Sequence, residues 1–198
     1  MEVVIIKYNA GNIQSVKFAL ERMNVSAIVT DDIDKIQSAD KIIFPGVGEA
    51  STAMNYLQEK KLDKLIPTLT KPVLGICLGM QLMCKYSEEN DTECMGIFDA
   101  DVKLFSSGEK EQRLKVPQIG WNTIHDLRSP LFMNVPENSY CYFVHGYYAE
   151  LNPYCIAVTN YPAPYSSALR KKNFYGVQFH PEKSAVVGEQ ILKNFLAI

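Results

Sequence analysis

Two short stretches of this 198-residue chain carry side chains able to make and break covalent bonds. The first is Gly75-Ile76-Cys77-Leu78-Gly79. Val73 to Ile76 is a short apolar run that reads as a fully buried strand, and Leu78, Leu82 and Met83 continue at helical spacing. A strand that turns sharply into a helix holds its turn residue in strained backbone geometry, and small neighbours relieve the crowding. The spacing is that of the nucleophile elbow, G-x-S-x-G, with cysteine in place of serine. Such a turn lifts the side chain clear of the sheet. The unpaired N–H groups and positive dipole end of the following helix favour a thiolate. Most free cysteines are merely small buried hydrophobes, so the reading needs a base.

The second stretch is Tyr175-Gly176-Val177-Gln178-Phe179-His180-Pro181-Glu182. Of the three histidines, His125 follows an irregular stretch and is expected at the surface, while His145 ends an aromatic run and suits core, interface or site. His180 closes a strand, and the proline behind it favours extended geometry. His180 and Glu182, two residues apart, are then expected to project to the same side. A carboxylate beside an imidazole fixes its tautomer and stabilises the imidazolium. An elbow cysteine with a His–acid pair elsewhere is the thiol-nucleophile constellation. The bland alternative is a sheet-edge histidine with a surface glutamate. A facial iron triad would want a second histidine downstream in a β-barrel. Here His125 and His145 lie upstream, so no metal and no cofactor is expected.

These groups need a scaffold, and the hydrophobic pattern describes one. Residues 3–6 read as a strand, followed by the turn-rich Asn9-Ala10-Gly11-Asn12 and a helix over about 13–23. That helix shows Ile13, Val16, Leu20 and Met23 at three- and four-residue spacing, with Asn12 able to cap it. A strand at about 25–29 precedes a short helix opened by the acids of Asp31-Asp32-Ile33-Asp34. The strand Lys41-Ile42-Ile43-Phe44 stops at Pro45-Gly46-Val47-Gly48, and helices follow at about 50–60 and 62–66. Alternation through about residue 86, with mostly apolar strands, predicts a parallel sheet covered on both faces. From about 87 to 125 the pattern loosens into polar turns with a strand near 100–105. Residues 140–148, 155–160 and 174–179 are β-prone, and a last helix at about 184–196 carries Val186, Val187, Ile191, Phe195 and Leu196. The expected fold is one α/β domain over 1–198: a doubly wound, mostly parallel sheet flanked by helices, with additional antiparallel β structure in the second half. Open α/β sheets place sites at strand carboxyl ends, where both Cys77 and Pro45-Gly46-Val47-Gly48 lie. The latter is either a plain turn or a strip of N–H groups for an oxyanion. It lacks a dinucleotide glycine pattern and the P-loop lysine.

Composition removes other classes. The chain is 47% hydrophobic and 21% charged with net charge −2, and Lys and Arg neither exceed the acids nor cluster, which argues against nucleic acid. Arg170-Lys171-Lys172 reads as a solvated turn. The N-terminus enters an apolar run with no basic flank, as a buried strand rather than a signal peptide or membrane span. Five cysteines without a C-x-x-C pair suggest a reduced, cytoplasmic protein.

Gly75-Ile76-Cys77-Leu78-Gly79-Met80-Gln81 together with Phe179-His180-Pro181-Glu182 resembles the class I, triad-type glutamine amidotransferases. Further pieces are similar to the glutaminase subunits of imidazole glycerol phosphate synthases: Gly11-Asn12-Ile13-Gln14-Ser15-Val16, Pro45-Gly46-Val47-Gly48, Val116-Pro117-Gln118-Ile119-Gly120-Trp121-Asn122, Tyr142-Phe143-Val144-His145 and Glu182-Lys183-Ser184. The resemblance covers essentially the whole chain. It implies hydrolysis of L-glutamine to glutamate and ammonia, with Cys77 as nucleophile, His180 as proton shuttle and Glu182 orienting His180. It implies an oxyanion met by the N–H of Leu78 and one from Gly46-Val47-Gly48, and substrate contacts from Gly79, Gln81, His145, Gly146 and Tyr147. Ammonia would pass to a separate (β/α)₈ cyclase subunit in a heterodimer, in histidine biosynthesis. Asn12, Trp121, Asn122 and Lys183 fall where the family meets that partner. Their simpler readings are a cap, a core aromatic, a turn amide and a surface lysine.

An exposed glutaminase would waste substrate, so an oxyanion strip misaligned until the partner binds would act as a gate. Two residues depart from the pattern. Lys7 stands where an acid is common, and Gly146 where Ser or Thr is common. The alternatives are a glutaminase subunit serving pyridoxal phosphate, anthranilate or aminodeoxychorismate synthesis, or a catalytically silent partner-binding module. Against the first stands the absence of a Gly-Gly-Glu-Ser loop, against the next two an elbow ending Gly-Met-Gln rather than Gly-His-Gln, and against the last the complete set of Cys77, His180 and Glu182.

Overall fold

The computed structural model of the chain describes residues 1–8, 12–105 and 115–198. The expected turn at Asn9-Ala10-Gly11 and part of the polar region between 87 and 125 lie outside the described residues. In chain order the strands are β1 (Val3–Ile6), β2 (Ala27–Thr30), β3 (Lys41–Gly46), β4 (Val73–Cys77), β5 (Tyr86–Ser87), β6 (Thr92–Glu93), β7 (Asp101–Leu104), β8 (Gln118–Ile124), β9 (Ser139–His145), β10 (Tyr147–Ala149), β11 (Cys155–Asn160), β12 (Pro164–Lys171) and β13 (Phe174–Val177). The helices are α1 (Ile13–Arg22), α2 (Ile33–Ser38), α3 (Ala50–Glu59), α4 (Leu62–Leu65), α5 (Leu78–Met83) and α6 (Ala185–Ala197).

Eleven strands form one sheet in the order β2-β1-β3-β4-β13-β12-β10-β7-β5-β6, with β11 paired to β12. Its first five strands are mutually parallel, and antiparallel pairing begins where β12 meets β13. The expected mostly parallel sheet with added antiparallel structure is thus observed. β1 is apolar at every position and buried on both sides. Its Val4 and Ile6 pack with Ile36, Met54, Leu57, Leu62 and Met80, so α2 to α5 cover one face. Val3 and Ile5 pack with Val16, Leu20, Ile191 and Phe195, so α1 and α6 cover the other. Each such fully buried aliphatic side chain contributes about 1.5–3 kcal/mol over its exposed state.

Several expectations need correction. β8 and β12 were not expected. Gln118-Ile119-Gly120-Trp121-Asn122-Thr123-Ile124 includes Gly and Asn, both poor strand formers. It is made a strand by full pairing with β9 in a separate two-stranded ribbon. β12 holds the small polar pair Ser166-Ser167 at fully buried positions, because strands pack on both of its edges. The aromatic run expected over 140–148 breaks at Gly146, so β9 belongs to the ribbon and β10 to the main sheet. Val186 is 78% exposed, while Leu192 takes the core place in α6. His125 is half-buried and bridges to Val158 rather than standing free at the surface. Among the described residues no helix is long and apolar enough to cross a membrane.

Close backbone contacts set where α5 and α6 sit. A Cβ on Gly79 would lie 1.8 Å from the Phe44 carbonyl oxygen of β3, and one on Gly188 would lie 1.9 Å from that of Pro181. A Cβ on Gly176 would meet the Met80 side chain at 2.4 Å, and one on Gly75 would meet the Met83 side chain at 2.4 Å and the Met80 backbone nitrogen at 2.8 Å. Replacing Gly188 with Ala is expected to destabilise the fold by about 1–3 kcal/mol, read as a fall of several degrees in thermal midpoint. The same change made at the exposed Val186 leaves the midpoint within about a degree.

Candidate active site

The register of β4 assembles the site. Gly46 on β3 pairs with Cys77, and Val177 on β13 pairs with Ile76. Continuing past Val177 therefore brings Gln178 beside Cys77 and His180 just beyond it. Cys77 has φ 53° and ψ −112°, a region that L residues occupy only under strain, at a cost of order 1–3 kcal/mol. This is the expected elbow. The residue is 5% exposed, and its thiol lies 3.7 Å from the carbonyl oxygen of Val144 on β9.

His180 is extended, at φ −99° and ψ 95°, as the following proline requires. The carboxylate reaches it by a different route from simple strand alternation. Pro181 to Lys183 form a single 3₁₀ turn that curls Glu182 back, and Nδ1 of His180 lies 2.7 Å from Glu182 Oε1. Both side chains are almost fully enclosed. The turn is pinned from β9: the His180 N–H donates to the Tyr142 carbonyl, and the Tyr142 N–H donates to Ser184 Oγ. Burial works against a charged His180 ring, but hydrogen bonds to Cys77 and Glu182, with the charges of both, outweigh it and raise the ring to about 10.

Asn12 departs from the expected cap. Its backbone is left-handed at φ 73° and its side chain caps nothing. The amide instead donates to Glu182 Oε1 and lies 3.2 Å from Nδ1 of His180. Trp121 is 53% exposed rather than a core aromatic, and stacks edge-on against Tyr142. The Lys183 ammonium lies 5.9 Å above the Tyr142 ring. Asn122 donates from its side chain to the Asn160 carbonyl. A cavity of about 390 Å³ between α1, β8 and α6 is lined by Arg22, Trp121, Glu182, Lys183, Val186 and Glu189, so Glu182 backs onto the surface on which the expected partner residues lie.

On the other side, Cys77 opens into a cavity of about 160 Å³ lined also by Val47, Gly48, Leu78, Gln81, Glu89, Val144, His145, Gly146 and Tyr147. Sites for drug-sized ligands span roughly 300–1,000 Å³, so this one suits a ligand the size of a single amino acid. Among the expected residues, Gly46 and Gly79 do not line it. Gly46 lies against Tyr8, whose hydroxyl a Cβ there would meet at 2.0 Å, and Gly79 is the close contact with β3. Glu89 was missed. In sequence it is one acid of Ser87-Glu88-Glu89-Asn90, indistinguishable from a solvated turn. The β5–β6 hairpin turns it inward, where it accepts from the Ala50 N–H at 2.7 Å. Burial raises its carboxyl above the usual value. His145 lines the cavity, but its ring is occupied: Nδ1 donates to the Tyr147 carbonyl at 2.7 Å, and Nε2 lies 3.1 Å from Gln118 Oε1 and 3.2 Å from the Tyr165 hydroxyl, which itself donates to Gln118 Oε1 at 3.0 Å. Cys84 is core, its thiol pushed up by burial and donating to the Met80 carbonyl. A larger cavity of about 450 Å³, near Leu69, Met95 and Phe174, sits at the amino ends of β4 and β13, away from Cys77. Among the described residues no cluster of His, Cys, Asp and Glu could hold a metal ion.

The chain matches the family Glutamine amidotransferase class-I over residues 4–198. It is 54% identical over 198 residues to imidazole glycerol phosphate synthase subunit HisH of Bacteroides fragilis, covering 100% of both chains. The same subunit of Bacteroides thetaiotaomicron is 54% identical over 196 residues, with 99% of each chain covered. A crystal structure of a glutamine amidotransferase from Thermotoga maritima matches with a TM-score of 0.66 at 19% identity, over 100% of this chain and 83% of that one. At that identity the likeness speaks for the fold.

The enclosed His145 offers a check on this geometry that needs no substrate. Burial is the main reason its folded-state value falls from 6.5 to about 4. The unfolded chain therefore binds the extra proton first, and stability drops as pH falls from 6.5 towards 4, by at most about 3 kcal/mol. Denaturant unfolding at pH 7 and pH 4.5 should show this slope in the parent and a shallower one in His145→Gln.

Proposed function

The chain belongs to the class-I glutamine amidotransferase family and, within it, to the HisH subunits of imidazole glycerol phosphate synthase; on that premise we propose a mechanism in which Cys77, His180 and Glu182 release ammonia from L-glutamine for a cyclase partner. The observation that carries the reading is the enclosed His180–Glu182 pair, 2.7 Å apart, beside a strained cysteine at the mouth of an amino-acid-sized cavity.

Glutamine enters with its side-chain amide towards Cys77 and its α-ammonium towards the Glu89 carboxylate. The Cys77 sulfur attacks the amide carbon, and the oxyanion is met by the Leu78 N–H and by N–H groups of Val47 and Gly48. His180, which holds a proton at neutral pH, delivers it to the nitrogen as the C–N bond breaks and ammonia leaves. The product is a glutamyl thioester. Acylation removes the negative sulfur that helped keep His180 protonated, so the ring becomes able to take a proton from water. The hydroxide so formed attacks the thioester carbon, the C–S bond breaks, and glutamate leaves with the thiolate restored. Glu182 keeps its hydrogen bond to Nδ1 throughout and holds Nε2 as the working nitrogen.

The partner is a (β/α)₈ cyclase in a heterodimer, which docks over Asn12, Trp121, Asn122 and Lys183 and receives ammonia through a channel. Asn12 links that face to Glu182 directly, so docking is able to adjust the triad. The relatives favour this pathway over pyridoxal phosphate, anthranilate or aminodeoxychorismate synthesis. Five unpaired cysteines fit a reducing, cytoplasmic setting.

Glutamate release should be slow for the chain alone and rise at least about tenfold with a histidine-pathway cyclase and its ribotide ligand. Cys77→Ala should abolish it, and Glu182→Gln should lower kcat by at least about a hundredfold. Absence of turnover with every cyclase tried would overturn the reading in favour of a silent binding module.

A further inference from the structure

The mechanism so far makes no use of Gln178, a fully buried amide that touches the nucleophile. Its Oε1 lies 2.9 Å from Gln81 Nε2, and its Nε2 lies 3.6 Å from Cys77 Sγ. Which end of each amide faces which neighbour follows from hydrogen-bond logic. The Tyr147 carbonyl can only accept, so the group 2.9 Å from it must be the NH₂ of Gln81. That same NH₂ faces Gln178, whose near atom must therefore be the acceptor oxygen. The NH₂ of Gln178 is left pointing at the sulfur. One backbone carbonyl thus fixes a chain of two amides that ends in a donor to Cys77.

We propose that Gln178 is a positioning residue for the nucleophile: its NH₂ holds the Cys77 sulfur when that atom is negative, while its carbonyl fixes Gln81 in the cavity wall. The catalytic half rests on the glutaminase reading above. The opposing neighbour is the Val144 carbonyl, 3.7 Å from the sulfur, which suits a thiol donating its proton and not a thiolate. Donation from Gln178 therefore favours the anion at the two moments when sulfur carries charge: before attack, and as the C–S bond of the thioester breaks. In the intact thioester the sulfur is neutral and the hydrogen bond weak, so the donor stabilises departure more than the intermediate. The chargeable groups around the sulfur are His180 and Glu182 behind β13, Tyr8 after β1, Tyr165 on β12, His145 on β9, and Glu89 across the cavity. Gln178, which carries no titratable group, is aimed at the sulfur by its NH₂ and donates whatever the charge on those neighbours.

The test uses the full chain and two variants. Gln178→Met keeps size but loses donor and acceptor, and Gln178→Glu keeps an acceptor for Gln81 but loses the donor. Iodoacetamide labelling of Cys77, located by peptide mass spectrometry across pH 6–9 without glutamine, should be at least about tenfold slower at pH 7 in both, with the inflection moved to higher pH. With the cyclase present, kcat should fall at least about tenfold in both. The KM for glutamine should rise in Gln178→Met and stay within about twofold of the parent in Gln178→Glu. Labelling profiles and kcat equal to the parent's in either folded variant overturn the proposal. The labelling arm reads the hydrogen bond even if the parent hydrolyses no glutamine, which separates failure of this inference from failure of the glutaminase reading. Should neither variant fold, the side-chain amide protons of Gln178 in the ¹⁵N-labelled parent decide. They should shift with the titration of Cys77 and lose that shift in Cys77→Ala, and an unmoved resonance in the parent overturns the proposal.

Discussion

The parallel pairing of β13 against β4 is the constraint on which the rest of the site depends. With Val177 opposite Ile76, the next three residues of the chain must run alongside Cys77, and one slip in register would turn every side chain to the wrong face. The pairing of Gly176 with Gly75 enforces that register, because Met80 and Met83 fill the space that any side chain at those two positions would need. The strain at Cys77 is borne by the same packing. A β4 held between two parallel neighbours, with α5 pressed against it, leaves the chain no relaxed way to turn.

Around that junction the enclosed polar groups are matched into short chains rather than left single. The Tyr147 carbonyl accepts from both His145 and Gln81, Gln81 reaches Gln178, and Gln178 reaches the sulfur. On the far side, Asn12 reaches Glu182 and Glu182 reaches His180. The two chains converge on Cys77 from opposite directions, one from the cavity wall and one from the outer surface. In a low-dielectric interior such networks hold geometry well, because breaking one link leaves a partner unsatisfied at appreciable cost.

Much of this was legible in the sequence, for physical reasons. The first half alternates apolar strands with amphipathic helices, and β1, β3 and β4 are buried on both faces, so their apolar runs are a strong signal. The elbow was legible because Gly75, Cys77 and Gly79 are required by sterics within five residues. What stayed hidden was set by distant contacts. β8 and β12 are strands because of the strands beside them, not because of their own residues. Glu89 looks like a solvated acid until the β5–β6 hairpin turns it inward, and Asn12 looks like a cap until the 3₁₀ turn before the last helix brings Glu182 within reach. The His180–Glu182 contact was expected, but from strand alternation, whereas a 3₁₀ turn makes it.

The close contacts at Gly75, Gly79, Gly176 and Gly188 do not leave the same room for change over evolutionary time. At Gly176 the obstacle is the Met80 side chain, a flexible group that a second substitution can shorten. A lineage can therefore cross that position in two compensating steps, with Met80 changing in concert. At Gly75, Gly79 and Gly188 main-chain atoms stand in the way, which no replacement elsewhere can remove. Those three sites have no neighbouring genotype through which to escape. They anchor α5 behind Cys77 and α6 behind the 3₁₀ turn, so the helices beneath Cys77, His180 and Glu182 are held to one placement while the residues around them remain free to drift.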